Sequence, residues 1–152
     1  VTLNSRAIFA AVESHAETLA IFDRVGKHEP KNAPGNGLTC AIWAAPIRPI
    51  PAASGLAAMS VRLELMVRIY NPMLQQPLDD IDPTVLDAVD ALLGAYAGAF
   101  TLGGIVRDVD LLGQHGTSLS AVPGYLTQDS KLFRVMDITL PLILNDLWNE
   151  AA

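Results

Sequence analysis

The ten residues from Val61 to Tyr70 constrain this chain most. They read Val-Arg-Leu-Glu-Leu-Met-Val-Arg-Ile-Tyr, with an aliphatic side chain at every odd position from Val61 to Ile69 and Arg62, Glu64 and Arg68 between them. On a helix a period of two scatters the aliphatics around the circumference, whereas a strand gathers them on one face. The stretch is therefore a half-buried β-strand that needs another layer over its aliphatic side. Its other side, Arg62, Glu64, Met66, Arg68 and Tyr70, suits solvent and a subunit interface equally, since Arg, Tyr and Met are enriched at interfaces.

A chain of 152 residues is long enough to bury one substantial core, and a single domain over 1–152 is expected. At 51% hydrophobic and 17% charged residues it is too apolar for a disordered chain, and its surface is less charged than that of a typical free monomer. Partners covering part of that surface would explain the balance. The net charge of −6 lacks the basic footprint that duplex nucleic acid demands. Cys40 is the single cysteine, so no intrachain disulfide and no thiolate cluster can form; its apolar setting predicts a buried thiol and a reducing compartment. No basic-then-apolar leader opens the numbered chain, and the apolar tract Val85 to Val106 contains Asp87, Asp90 and several glycines, a poor membrane span. A soluble protein is the expectation.

Along the chain, Thr2 or Asn4 caps a first helix expected to run to about Val25, with Ile8, Val12, Leu19 and Phe22 on one stripe and Gly26 as its stop. His15 beside that stripe has no partner at ligand spacing and reads as structural. Gly26 to Gly37 is a polar, turn-rich loop. Its glycines lead into a strand rather than a helix, so a phosphate cradle is not expected there. Leu38 to Ile47 forms a strand stopped by Pro46, Pro49 and Pro51. Asp82-Pro83 opens a second helix whose stripe runs from Val85 to Phe100. A shorter strand over Ile105 to Leu112 and two segments about a turn at Gln128 to Ser130 follow, the last carrying Met136, Ile138, Leu140, Leu142 and Leu144 on one side. Pro141 predicts an edge position or a bulge. Leu147 and Trp148 anchor the C-terminus. This order predicts an α+β fold with a mainly antiparallel sheet and two principal helices packed on one face.

No catalytic or metal motif stands out. Gly116-Thr117-Ser118-Leu119-Ser120 lacks the closing glycine and the preceding buried strand of a nucleophile elbow. Asp79, Asp80 and Asp82 can bind a divalent cation, but they precede a helix whose N-terminus favours negative charge, and capping explains them better. Asp108 and Asp110 share one strand face without the acid or base partner that catalysis needs.

The first helix, Asn4 to Val25, the strand pair flanking a Pro/Gly-rich connector, the helix opened by Asp82-Pro83 and the closing strand Phe133-Arg-Val-Met-Asp-Ile-Thr-Leu-Pro-Leu together resemble the tail terminator proteins of long-tailed bacteriophages. The resemblance spans nearly the whole chain. It implies a structural virion protein, not an enzyme and without cofactors, whose homohexameric ring caps the tail tube, ends its polymerisation and offers its other side for head attachment. The implied partners are further copies of the chain, the tail tube protein and a head-tail connector or completion protein. DNA would pass through the hole without specific binding, and no membrane is involved. The implied location is the virion tail, after assembly in the host cytoplasm. On this reading Asp79, Asp80, Asp108 and Asp110 are candidates to line the lumen, where acids repel phosphate. Arg62, Glu64, Met66, Arg68 and Tyr70 are subunit-interface candidates, and loop Gly26 to Gly37 and arm Pro46 to Gly55 are further contact candidates. Another head-tail joining protein, a tube subunit, or a small α+β enzyme or ligand-binding domain are the alternatives.

Overall fold

The alternation at Val61 to Tyr70 becomes a central strand. A computed structural model describes residues 3–35, 37–50, 59–73, 78–99 and 101–147. In chain order they form α1 (Ser5–Thr18), β1 (Arg24–Gly26), β2 (Thr39–Pro49), β3 (Met59–Pro72), α2 (Ile81–Gly98), β4 (Asp108–Val109), β5 (Ser120–Gln128) and β6 (Lys131–Leu147). The strands make one sheet in the order β1-β2-β3-β6-β4, with β5 also paired to β6. Among the described strands only the β1–β2 pair is parallel. The fold is thus α+β, with a mostly antiparallel sheet carrying both helices on one face.

The aliphatic face of β3 is fully used. Val61, Leu65, Val67 and Ile69 are completely buried, against Ile8, Val12 and Ala16 of α1 and Val85, Leu92 and Tyr96 of α2. Ile138, Leu140 and Leu142 of β6 complete the layer. Each such aliphatic contributes roughly 1.5–3 kcal/mol on burial, so this layer dominates the stabilisation of the fold. His15 is structural: its Nδ1 lies 2.8 Å from the Ala11 carbonyl and its ring packs beside Tyr96.

Several boundaries differ from the pattern-based expectation, each for a local reason. α1 is capped by the Asn4 side chain but stops at Thr18, because Ala20 turns left-handed (φ 56°) and residues 24–26 are drawn out to pair with β2. The helix does not reach Val25, and Gly26 lies in a strand. Gly37 (φ +85°) supports that pairing: a Cβ there would fall 1.8 Å from the Asp23 carboxylate, which receives the Leu38 N–H. β2 runs through Pro46 to Pro49, its register shifting between Ala44 and Ile47, as a bulge that absorbs a proline would produce. α2 is entered from a short 3-10 turn at Leu78–Asp80, so Asp80 and not Asp82 occupies the cap position, and Asp82 lies in the first turn. Of Ile105 to Leu112 only Asp108–Val109 is strand, because Leu102, Gly103 and Gly104 all turn left-handed just before it. Residues 51–58 of the proposed arm and Trp148 lie outside the described residues; Leu147 is buried.

Pro141 is not on an edge strand: β6 is bonded to β3 on one side and to β5 and β4 on the other. The Pro141 carbonyl accepts the Asp110 N–H, so its ring nitrogen points to that same side, beyond the last β5 pair at Thr139 and before the β4 pair at Leu142. The missing N–H coincides with the change of neighbour. Proline is tolerated there because the Asp110 carbonyl, which would face its missing N–H, accepts the Gly113 N–H instead.

Two features of the core are testable. The Tyr96 hydroxyl is buried without a hydrogen-bond partner among the described residues. Because an unpaired buried hydroxyl is unfavourable, Tyr96→Phe is expected to leave stability unchanged or raise it by about 1 kcal/mol in denaturant unfolding; a loss of that size would show a hidden partner. Burial also pushes the Cys40 thiol up to about 12 from 9.0 and holds the Tyr96 phenol above its ordinary value, with Cys40 adding to the effect. Both folded pKa values lie above the unfolded ones. Their stabilisation is therefore complete below about pH 9 and lost as pH rises through the folded values. Unfolding free energy should fall above about pH 9, and less steeply in Cys40→Ala than in the parent.

Candidate functional site

The sheet face away from the helices carries the even-numbered side chains of β3, and pairing surrounds them with β2 and β6. Arg68 stands between Ala41 and Asp137, and Met66 between Trp43 and Thr139. Arg68 donates from Nε and Nη2 to the Asp137 carboxylate, and from Nη1 to the Tyr70 hydroxyl at 3.4 Å. Its guanidinium also lies 5.1 Å from the Trp43 ring centroid and 5.8 Å from that of Tyr70, within cation–π range. Partial burial acts against the Arg68 charge, yet the bonds to Asp137 and Tyr70 outweigh it and raise the pKa. Burial likewise raises that of Tyr70, against the opposing pull of Arg68.

On one side of this centre, Ala41, Tyr70, Phe133 and Val135 form a second small buried cluster, with Ala33, Trp43 and Leu126 packed against it. Tyr70 meets Phe133 edge-on at 6.0 Å. The loop after β1 is tied down beside it: the Ala33 N–H donates to Asp129 Oδ2 at 2.6 Å and Gln128 Nε2 donates to the Pro30 carbonyl at 2.8 Å. The Gly26 to Gly37 loop is thus a strap fastened to the tip of the β5–β6 hairpin.

On the other side lies a charged knot. Arg62 is 7% exposed, and its three nitrogens reach Glu64, the Thr117 carbonyl and Asp110 Oδ2, the last at 3.5 Å. Asp110 is also buried, and its two oxygens accept the Gln114 and His115 amides at 2.8 and 3.0 Å. Gly116 lies against the guanidinium, where a Cβ would come within 2.9 Å of Arg62 Cζ. Beside the knot is a cleft of about 400 Å³ lined in part by Pro46, Arg48, Arg62, Glu64, His115 and Thr117. Each nitrogen of Arg62 has a partner within the protein, so this side chain braces the cleft wall. Among the described residues no cluster of His, Cys, Asp or Glu is placed to hold a metal ion.

The interface candidates therefore divide. Glu64, Met66 and Arg68 are partly exposed, whereas Arg62 and Tyr70 are buried within the protomer. The acidic candidates are not brought together. Asp79 and Asp80 precede α2, whose first turn is held to β6 at Arg134 by Asp82 (2.9 Å), whereas Asp108 pairs with Ile143. Those anchor points lie nine positions apart on β6, about 30 Å. Asp79 and Asp80 are exposed, Asp108 sits 3.7 Å from Arg107, and Asp110 faces Arg62 instead of solvent. Sequence reasoning missed Trp43 and Asp137. Asp137 carried a readable signal, as the charge interrupting the apolar run Val135 to Ile138.

No family model and no curated protein matches the sequence. Among solved structures, the fold is similar to that of the sheath/tube terminator of PVC, an extracellular contractile injection system, seen by cryo-electron microscopy in the extended state. The TM-score is 0.50 at 12% identity; the match covers 100% of this chain and 60% of that one. The chain thus spans 60% of the terminator chain that it matches, and the likeness is one of fold.

The charged knot has a measurable consequence. Arg62→Met leaves the buried Asp110 carboxylate uncompensated and should cost about 3–5 kcal/mol in denaturant unfolding. Adding Asp110→Asn to it should recover part of that loss; full additivity of the two substitutions would mean that the residues do not interact.

Proposed function

We propose that this chain is a terminator-like structural subunit whose ring ends a tail-like tube. The observation that carries the reading is the fold likeness, over the whole of this chain, to a sheath/tube terminator. The ring is a homohexamer in a phage tail or related tail-like particle, seated on the last layer of tube protein, with a head-tail connector or completion protein on its other side. Its work is surface matching: one side accepts the tube and the other adds no further tube subunit.

The open sheet face supplies the subunit contact in this reading. Trp43, Met66 and Arg68 combine an aromatic, a flexible apolar and a cationic side chain, a combination typical of interface hot spots. Glu64 lies at the rim of the contact. Arg62 and Tyr70 serve it from beneath, holding the surface rather than touching the neighbour. Asp79 and Asp80, exposed in the turn before α2, are the acids assigned to the lumen, where they keep passing DNA from binding. Asp110, bound to Arg62, serves the fold.

Adding the purified chain during polymerisation of its cognate tube protein should shorten the tubes and place a cap on one tip in electron micrographs. Met66→Glu, at a partly exposed site, should preserve the far-ultraviolet spectrum and lose the effect. Tube lengths that do not respond to the parent chain at any ratio would overturn the proposal.

A further inference from the structure

β5 is a long strand with an open edge. It pairs with β6 from Ser120 opposite Thr139 to Gln128 opposite Lys131, and no other described strand is bonded to it. The two-residue turn Asp129–Ser130, with φ of 53° and 62°, makes Gln128 and Lys131 the closing hydrogen-bonded pair of the hairpin. Alternation then points the backbones of Ala121, Pro123, Tyr125 and Thr127 away from β6. Folded proteins normally blunt such an edge with charge, a proline or a bulge; Ser120–Gln128 carries no charge and one proline. Its proline stands at an outward position, where it removes one of the available N–H groups and leaves three.

Apolar side chains flank this edge on both faces. Val122, opposite Asp137, is 63% exposed on the open face; Tyr125, opposite Arg134, is 63% exposed on the helix side, where its ring stacks 4.4 Å from the Arg134 guanidinium. α2 borders that side. Its Asp82 bonds Arg134, and Leu86, one turn further along the same flank, is 55% exposed. The solvent side of α2 adds exposed Asp87 and Asp90, and the helix contains no Lys or Arg.

We propose that the β5 edge takes an extended segment of another protein as an added strand, apolar at alternate positions and flanked by Lys or Arg. The outward N–H and C=O groups of β5 supply the backbone bonds, and Tyr125 and Leu86, on the helix side, receive the alternate apolar side chains, the usual division of labour in strand addition. The acids of α2 select the basic flanks and speed encounter. A second copy docked through its own β5 would set one acidic α2 beside another, so like charge disfavours self-pairing. The site does not depend on the ring reading, because it uses the sheet edge and not the open face.

The probe is a labelled peptide alternating threonine and valine between paired lysines, titrated against the intact chain. Binding should slow hydrogen exchange at the Ala121, Tyr125 and Thr127 amides and leave Val122, Gly124 and Leu126, already bonded to β6, unchanged. A proline in the middle of the probe should weaken binding at least about tenfold. Replacing both Asp87 and Asp90 with Lys, at exposed positions that leave the fold intact, should weaken the lysine-flanked probe and favour a glutamate-flanked one. Equal binding of the straight and proline-broken probes, or no binding at millimolar probe, overturns the proposal. So does concentration-dependent protection of the same three amides without probe, which would place a second copy on the edge.

Discussion

The pairing of β3 with β6 is the constraint on which the remainder of the structure depends. The two strands are in register from Met59 opposite Leu147 to Pro72 opposite Phe133, with one shift near Ser60. Side chains alternate along a strand, so a slip of one residue would turn Leu65 and Val67 toward the open face and drive Arg62 and Arg68 under the helices. Burying those charges without partners is far costlier than any gain the slip offers. The observed register instead puts Arg68 directly opposite Asp137 on one face and leaves the aliphatics of both strands to meet α1 and α2 on the other.

That register gives the two faces different tasks. The helix face is a buried apolar layer in which burial raises the pKa of Cys40 and Tyr96 and so favours their neutral forms. The open face is braced. Arg62 ties β3 to the loop after β4 through Thr117 and Asp110, while the strap after β1 is fastened to the β5–β6 turn through Asp129 and Gln128. The partly exposed Trp43, Met66 and Arg68 lie between these two braces. A surface held at both ends loses little conformational entropy on meeting a partner, which favours recognition by shape.

The parts of this architecture set by short-range periodicity were legible in the sequence. The β3 alternation, the apolar side of β6, the turn at Asp129–Ser130 and the stripe of α2 all follow from spacing alone. What escaped depends on distant partners. The N-terminal stripe continues past Thr18 in sequence, yet residues 24–26 leave the helical path because β2 offers them backbone bonds. Pro46 read as a strand stop and Pro141 as a mark of an edge or bulge, because their tolerance depends on a register shift and on a change of neighbour, neither of which is local. Arg62 and Asp110 looked like surface charges; 48 residues apart, they are buried against one another. The acids grouped by charge as one lumen lining separate once β6 sets their distance.

The functional account joins a fold shared with a sheath/tube terminator to a braced sheet face carrying aromatic, apolar and cationic side chains. Native mass spectrometry of the purified chain, alone and mixed with its tube protein, tests this most directly. The account predicts a closed ring of six copies in at least one of the two samples. A chain that stays monomeric in both would contradict it.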